Sequence, residues 1–189
     1  MPHLSESHVI KDLLEKNSRD YLMSKTKIRM NTSVENLDAG DYKLEKAAEG
    51  EQVEVPRWMA EEFVSMNLAV AEEEPFEVEV SRALSREKMM GPLQLSALPP
   101  EFYARMQRRI ATLRRGVEDG KTKKEEFERM RNGCYDLIGM RLSKLLSLSS
   151  SSAPASTLAD KLTPEEMAFF SASQSLSKEW KGVLLGDVK

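Results

Sequence analysis

The hydrophobic residues at the start of the chain recur at helical spacing. From Glu6 to Met23 they fall on one face of a helix, and Ser5 or Ser7 is in the position of a capping residue. The pattern therefore predicts a short amphipathic helix over this segment. Its predicted apolar face consists of Val9, Ile10, Leu13, Leu14, Tyr21 and Leu22.

Short alternating runs of apolar and polar residues follow this helix. They occupy residues 27–30, 41–46 and 52–55, and Gly40 and Gly50 supply turn positions between them. The alternation predicts a small sheet of about three short strands. Residues 68–71 fit one further short strand.

A proline separates the last of these runs from a helix in VEVPRWMAEEF, residues 53–63. Pro56 has a fixed φ and lacks the N–H that a first helical turn leaves unbonded, so it is predicted at position N1 of a helix through Met66. We interpret Trp58 as packing this helix on its own sheet rather than contacting a partner, because a tryptophan can bury on the order of 200 Å². Pro56, Trp58 and Phe63 are thus the expected anchor of a small β-containing domain.

Helical periodicity dominates the rest of the chain. Residues 76–90 alternate at FEVEV but also repeat at helical spacing, and a helix from Glu77 to a stop at Gly91 is favoured. Further helices are predicted from Phe102 to a stop at Gly116 and over residues 123–147. The Ser/Ala/Pro-rich residues 149–161 contain few large apolar side chains and are expected to form a mobile loop.

The last helix has a strong start signal in LTPEE. Thr163 is predicted to cap it, Pro164 to take N1, and Glu166 at N3 to complete a capping box. Its predicted buried face contains Met167, Phe170, Trp180, Val183 and Leu184.

These elements together predict an α+β, mainly α protein. A small β-rich domain with an N-terminal helix would occupy residues 1–72, and a helical bundle-like domain would occupy residues 76–189 with its loop at 149–161.

Composition narrows the function classes. A net charge of -3 over 189 residues excludes a polycation that coats nucleic acid. The single cysteine, Cys134, excludes an internal disulfide and a cysteine-rich zinc site, which fits a reducing intracellular compartment. No export signal and no run of eighteen apolar residues is present, so a cytoplasmic protein without a membrane contact is expected.

The residues that usually carry catalysis are nearly absent. The only histidines, His3 and His8, lie close to the N-terminus, and the chain contains no phosphate-binding loop, dinucleotide fingerprint or HExxH motif. The acidic run at residues 72–74 is typical of a solvated turn rather than a cation site. We therefore expect no enzyme activity, no cofactor and no metal.

One segment has a local excess of positive charge. Between residues 101 and 124 eight basic side chains stand against three acidic ones. A solvated helix face is favoured over a DNA-binding helical regulator, because no aromatic residues interleave to stack bases. The candidate DNA contacts in this segment are Arg105, Arg108, Arg109, Arg114 and Arg115.

Two other cations stand among apolar neighbours. Arg141 and Lys144 lie within MRLSKLLSL, where a cation indicates either a salt bridge across an interface or a stem that extends towards solvent.

VEVPRWMAEEF follows a small turn-rich region, LPPEFYARMQRRI begins a helix, IGMRLSKLLSLS ends a long one, and LTPEEMAFFSASQSL begins the last. In this order the segments resemble the GINS family of replication factors, in its archaeal type with the B domain first. The spacing of Arg141 and Lys144 resembles the Arg-x-x-Lys at the end of a central helix in that family. The resemblance covers residues 27–185.

The resemblance implies a non-enzymatic subunit of a tetramer that bridges the replicative MCM helicase and a RecJ-like partner at the fork. Homotetramer and heterotetramer with a GINS paralogue both remain open, and the location would be the nucleoid in an archaeon or the nucleus in a eukaryote. Helices of the larger domain would form the subunit interface. The expected interface residues are Phe102, Tyr103, Met106, Ile110, Phe127, Met130, Leu137, Arg141, Lys144 and Leu145.

Overall fold

The computed structural model describes residues 6–39, 42–151 and 154–186. The helices in these ranges are α1 (Glu6–Met23), α2 (Arg57–Ser65), α3 (Phe76–Met89), α4 (Phe102–Glu118), α5 (Lys124–Ser150) and α6 (Pro164–Leu185), with a 3-10 turn at Ala155–Thr157. The strands are β1 (Lys25–Met30), β2 (Val34–Ala39), β3 (Tyr42–Ala47), β4 (Gln52–Pro56) and β5 (Ala69–Ala71). His3, Ser5, Gly40 and the side chains of Ser7 and His8 lie outside the described residues.

The chain divides into two units. Residues 18–74 form the sheet unit, while the described parts of residues 1–17 and 75–189 form the helical unit. The prediction had assigned the whole N-terminal helix to the small domain, but residues 6–17 of α1 belong to the helical unit. Within that unit the Asn17 amide donates a hydrogen bond of 2.7 Å to Glu165 on α6.

Antiparallel pairing organises the sheet unit. The strand order is β4-β1-β5, with Thr26 opposite Val55 and Arg29 opposite Val70. Alternate residues of β1 are buried, so one face of the sheet lies on the core and the other carries the lysines and the arginine. The core of this unit contains Ile28, Met30, Ala47, Val55, Met59, Ala60, Phe63 and Ala69.

A hairpin of β2 and β3 adds the strand that the sequence pattern missed. Its register pairs Val34 with Ala47 and Leu37 with Leu44. Residues 34–39, VENLDA, show no clear alternation, so their extended conformation depends on the pairing with β3 rather than on a local signal.

The prediction for Pro56 is wrong by one position. Pro56 has φ -56° and ψ 143°, which is extended backbone, and it closes β4 opposite Lys25 instead of opening the helix. The ladder continues one bond further, because the N–H of Arg57 donates to the carbonyl of Ser24 at 3.0 Å. Helix α2 therefore begins at Arg57. It places Phe63 in the core and Trp58, half-buried, against the core.

Helices α3, α4 and α5 pack around one core of the helical unit. The helix favoured for residues 76–90 is confirmed as α3. The core residues include Phe76, Val80, Phe102, Met106, Met130, Cys134 and Leu137.

Gly116 does not end α4, contrary to the prediction. The helix continues to Glu118, and Gly120 with φ +71° makes the turn. Gly116 instead allows the chain to fold back, because a Cβ built on it would lie 2.3 Å from the Thr122 hydroxyl.

The predicted capping box of α6 is present. The Thr163 hydroxyl accepts a hydrogen bond from the backbone of Glu166, and the Glu166 carboxylate accepts one from the backbone of Thr163. Two neighbouring predictions are corrected. Residues 149–161 are not simply a loop, since α5 runs to Ser150 and Leu158 is buried in a second core with Leu95, Leu145, Leu148, Leu162 and Phe170. Of the predicted buried face of α6, Trp180, Val183 and Leu184 are exposed.

Candidate functional site

Four charged side chains are buried together in the helical unit, and we call them the charge cluster. Glu87 lies on α3, Arg141 and Lys144 on α5, and Glu166 on α6. The side chain of Arg141 is 1% exposed and that of Glu87 is fully buried. Buried charges are costly unless they are paired and hydrogen-bonded, so each polar atom of the cluster needs a partner.

Arg141 is at the centre of the cluster. Its Nε and Nη2 donate to the two oxygens of Glu166 at 2.5 and 2.7 Å, which is a bidentate pair. Its Nη1 donates to Glu87 at 2.5 Å and to the carbonyl of Ser96 at 2.9 Å. Nη2 also reaches the carbonyl of Lys161 at 3.2 Å. One guanidinium therefore joins α3, α5, α6 and two connecting segments.

Lys144 and Tyr103 complete the partners of the two carboxylates. Lys144 Nζ donates to Glu87 Oε2 at 2.8 Å and to the Glu87 carbonyl at 2.9 Å. The Tyr103 hydroxyl donates to Glu166 Oε1 at 2.7 Å. Ser96 donates to Glu87 through both its N–H and its hydroxyl. Two acids and two cations give a neutral set in which each side-chain nitrogen and oxygen atom has a hydrogen-bond partner, and the set holds α3, α5 and α6 together.

The protonation states follow from these contacts. Burial alone would lower the pKa of Arg141, but the hydrogen bonds to Glu166 together with the charges of Glu166, Tyr103 and Glu87 outweigh burial and raise that pKa. Burial, followed by the Glu166 charge, raises the pKa of Tyr103 well above its usual range. Burial alone would raise the pKa of Glu87, but hydrogen bonds from Lys144 and Ser96 and the charge of Arg141 hold it below its ordinary value.

The depressed pKa of Glu87 predicts acid sensitivity. The stability that it contributes is fully present above the pKa of an unfolded glutamate, about 4.3, and is lost as pH falls through the lower folded pKa. We expect the free energy of unfolding to decrease as pH falls from about 5 towards about 3, and Glu87→Gln to show a shallower decrease from a lower starting value. Urea unfolding at a series of pH values measures both, and the exposed Glu179→Gln is the control. An equally steep decrease in Glu87→Gln would contradict this role.

The sequence found half of the charge cluster. It singled out Arg141 and Lys144, and it assigned Glu166 only to the capping box. It missed Glu87, whose signal was an acidic residue on the same face of α3 as Val80 and Ala83. The salt bridge expected of Arg141 is present, but it lies inside this chain.

The residues expected at a subunit interface lie in the chain's own core. This placement leaves a partner subunit little of their side chains to contact. The sequence predicts an apolar helix face, but it does not show which element covers that face. Seven are buried: Phe102, Met106, Met130, Leu137, Arg141, Lys144 and Leu145. Three are half-buried and pack against the core or the charge cluster: Tyr103, Ile110 and Phe127.

The basic segment is partly neutralised by α3. Arg105 pairs with Glu79 at 2.7 Å, and Arg109 pairs with Glu77 at 2.6 Å. These two arginines therefore offer less charge to a phosphate backbone than the sequence suggested. The remaining candidate DNA contacts keep part or most of their surface in solvent: Arg108, Arg114 and Arg115.

The acidic run at residues 72–74 is engaged within the sheet unit. Glu72 accepts from Arg29 Nε at 2.9 Å, and Glu73 accepts from Arg57 at 2.5 Å and from the Thr26 hydroxyl at 2.8 Å. In the described parts of the chain, no group of three or more His, Cys, Asp or Glu side chains is arranged to hold a metal ion.

The single cysteine lies in the core of the helical unit. Burial, followed by the charge of Glu77, raises the pKa of the Cys134 thiol to about 11, so the thiol is protonated at neutral pH and acts as a small core residue.

None of the helices in the described ranges combines the length and the apolar character needed to cross a bilayer.

Two helix faces of the helical unit expose large apolar side chains. We call the first the α5 seam, and it consists of Tyr135, Ile138, Leu142 and Leu146. We call the second the α6 face, and it consists of Leu176, Trp180, Val183 and Leu184. Contiguous apolar surface of this kind marks sites of protein association.

The helical unit is thus a helical bundle with apolar surface available for association with other proteins. A family model, Sld5, described as the GINS complex protein helical bundle domain, matches residues 60–185, which is 126 of the 189 residues. The chain belongs to the GINS family. No curated protein matches it. GINS subunits are structural replication factors and not enzymes, and they form complexes with one another.

Proposed function

We propose that this GINS subunit assembles into a tetramer and bridges the replicative MCM helicase to a RecJ-like partner at the fork. The tetramer contains copies of this chain, a GINS paralogue, or both. The observation that supports assembly is the α6 face, which lies within the matched bundle and is exposed in the described part of the chain. The nucleoid of an archaeon or the nucleus of a eukaryote is the corresponding location.

The composition of the α6 face favours a stable contact. Trp180 is 64% exposed and Leu176 is 67% exposed, and with the other two residues of the face they form an exposed apolar patch rather than isolated exposed side chains. Tryptophan is also enriched among the residues that dominate binding energy, because its large surface is buried at low entropic cost. A partner that covered this face would convert the exposed apolar surface into an obligate type of interface.

The sheet unit is the second part of this proposal. It has its own core around Ile28, Val55 and Phe63, so it can act as a separate binding module that places a partner such as the helicase. The chain passes between the two units twice, at residues 17–18 within α1 and at residues 74–75.

The first test is a charge placed on the α6 face. Trp180→Glu is expected to shift the chain, alone or mixed with a candidate GINS subunit, from the assembly towards the monomer, because burying an unpaired carboxylate at an interface is costly. Light scattering of the purified chain measures the mass.

Ser175→Glu is the matched control, since it adds the same charge to an exposed position on a different face of α6. A wild-type chain that stays monomeric at micromolar concentration and binds no other GINS subunit would contradict the proposal. Unchanged assembly of Trp180→Glu would place the contact elsewhere.

A weak DNA contact is a second proposal, carried by the exposed Arg114 and Arg115. Binding through such side chains should weaken steeply with added salt and be reduced by reversing both charges. Absence of duplex and single-strand binding at low salt would remove this proposal.

A further inference from the structure

Helix α1 packs less tightly than the other helices. Helices α2 to α6 each have at least three buried residues. Among the α1 side chains that the structure describes, those of residues 9–23, none is buried and none belongs to the three cores. A half-buried apolar side chain gains only part of the free energy that a core residue gains. The polar contacts of α1 therefore have a large share in holding it in place.

Arg57 fastens the C-terminal end of α1. Its guanidinium carbon lies 4.5 Å from the centre of the Tyr21 ring, and its Nη1 donates to the Tyr21 hydroxyl at 3.1 Å. Its Nε donates to the Ser24 hydroxyl at 3.0 Å, and its Nη1 also pairs with Glu73 at 2.5 Å. The backbone N–H of Arg57 donates to the carbonyl of Ser24 as well. Residues 18–23 of α1 are thereby held firmly within the sheet unit.

Residues 6–17 of α1 belong to the helical unit, and their attachment is weaker. The described apolar side chains in this part of α1 are half-buried or exposed. The amide of Asn17 donates to Glu165 Oε1 at 2.7 Å. Within the described ranges, this is the one side-chain hydrogen bond or ion pair that joins residues 9–17 to another element. The polar part of the attachment therefore depends on a single bond.

The acceptor of that bond is short of donors. Glu165 is 6% exposed, and its second oxygen, Oε2, has no hydrogen-bond partner among the described residues. A buried carboxylate oxygen without a donor is costly, and more so than an unpartnered neutral amide. Glu165 is the second residue of α6, so the helix dipole offsets part of the charge, but it supplies no donor to Oε2. Departure of Asn17 would let water reach this carboxylate.

We propose that residues 6–17 form a latch, which docks on the N-terminus of α6 through Asn17 and Glu165 and releases while residues 18–23 stay with the sheet unit. Release hydrates the Glu165 carboxylate, and this gain offsets the lost bond and the lost half-buried contacts. The latch contains 12 residues, which form only a marginal helix in water without tertiary contacts.

The latch includes one of the two places where the chain passes between its units. That crossing lies at residues 17–18, inside α1, and the other lies at residues 74–75. Release therefore makes the first crossing flexible and gives the sheet unit more freedom. This device belongs to the single chain and does not depend on the proposed tetramer.

Hydrogen exchange of the full chain tests the latch. In wild type, the amides of residues 10–17 should exchange about a hundredfold or more faster than those in the middle of α5, and faster than those of residues 18–23. Asn17→Ala should speed exchange of residues 10–17 about tenfold, because it removes the donor to Glu165. Glu165→Gln should slow it several-fold, because the neutral amide is less costly to bury and its oxygen still accepts from Asn17.

Asp12→Ala is the matched control for Asn17→Ala. Asp12 is exposed on α1, and both substitutions replace a poor helix former with alanine. The control should leave the exchange of residues 10–17 unchanged or slower. Urea unfolding followed by circular dichroism shows whether a variant changes the whole fold, and the midpoint of Asn17→Ala should stay close to that of wild type.

Three results would overturn the latch. The first is protection of residues 10–17 equal to that of α5 in wild type, and the second is unchanged exchange in Asn17→Ala. The third is faster exchange in Glu165→Gln, which would mean that the carboxylate stabilises the docked state. Faster exchange in Asn17→Ala with an unchanged urea midpoint supports the latch, because a role in the overall fold would change both.

Discussion

Arg141→Met is expected to lower the free energy of unfolding of the helical unit by about 3–5 kcal/mol. The substitution keeps the apolar stem but removes the cation, which leaves Glu166 and Glu87 with fewer donors than a buried carboxylate requires. Urea unfolding followed by circular dichroism measures the change.

The control for this prediction is Arg129→Met, on the same helix but exposed, which should change the free energy of unfolding by no more than about 0.5 kcal/mol. Arg141→Lys should also be strongly destabilising, because a lysine cannot reproduce the bidentate pair with Glu166. Equal stability of Arg141→Met and wild type would mean that the charge cluster contributes nothing to the fold.

Phe63→Ala is expected to lower the free energy of unfolding of the sheet unit by about 3–5 kcal/mol. Phe63 is 3% exposed and packs among Ile28, Val55 and Met59, so its removal leaves a cavity between α2 and the sheet. Hydrogen exchange of the β1 amides reports on this unit separately from the helical one.

Val64→Ala is the control, since Val64 is adjacent on α2, is 39% exposed and lies outside the core of the sheet unit. Trp58→Ala should cost less than Phe63→Ala because Trp58 is half-buried. If Trp58→Ala instead opened β1 more than Phe63→Ala, Trp58 rather than Phe63 would be the principal anchor of the sheet unit.

Features that depend on neighbours in sequence were predicted accurately. The α1 bounds and the capping box of α6 follow from periodicity and from side chains that bond within one turn. The strand-to-helix change at Pro56 was placed within one residue, because proline restricts its own φ and the conformation of its neighbour.

Features that depend on distant residues were not predictable in this way. Strand β2 is extended through its pairing with β3, and its own residues do not alternate clearly. Arg141 bonds to Glu87, which is 54 positions earlier, and no local pattern connects the two. A sequence with an acid on one helix and a base on another does not specify which pairs form.

The candidate interaction surfaces also depend on residues that are far apart in the sequence. Leu137 and Ile138 are adjacent apolar residues on α5, yet Leu137 is fully buried and Ile138 is 41% exposed. Both suit a core and both suit an interface, because the two environments remove apolar surface from water in the same way. The interface prediction therefore selected the core side of α5.

The sequence by itself determined the helices, most of the strands, the lack of a recognisable catalytic motif and the resemblance to the GINS family, because these depend on local spacing and residue type. The tertiary structure decided which apolar faces the chain covers, and it left the α5 seam and the α6 face open. It also joined the cations of α5 to the acids of α3 and α6. Burial depends on which elements pack together, and that depends on contacts between residues far apart in the chain.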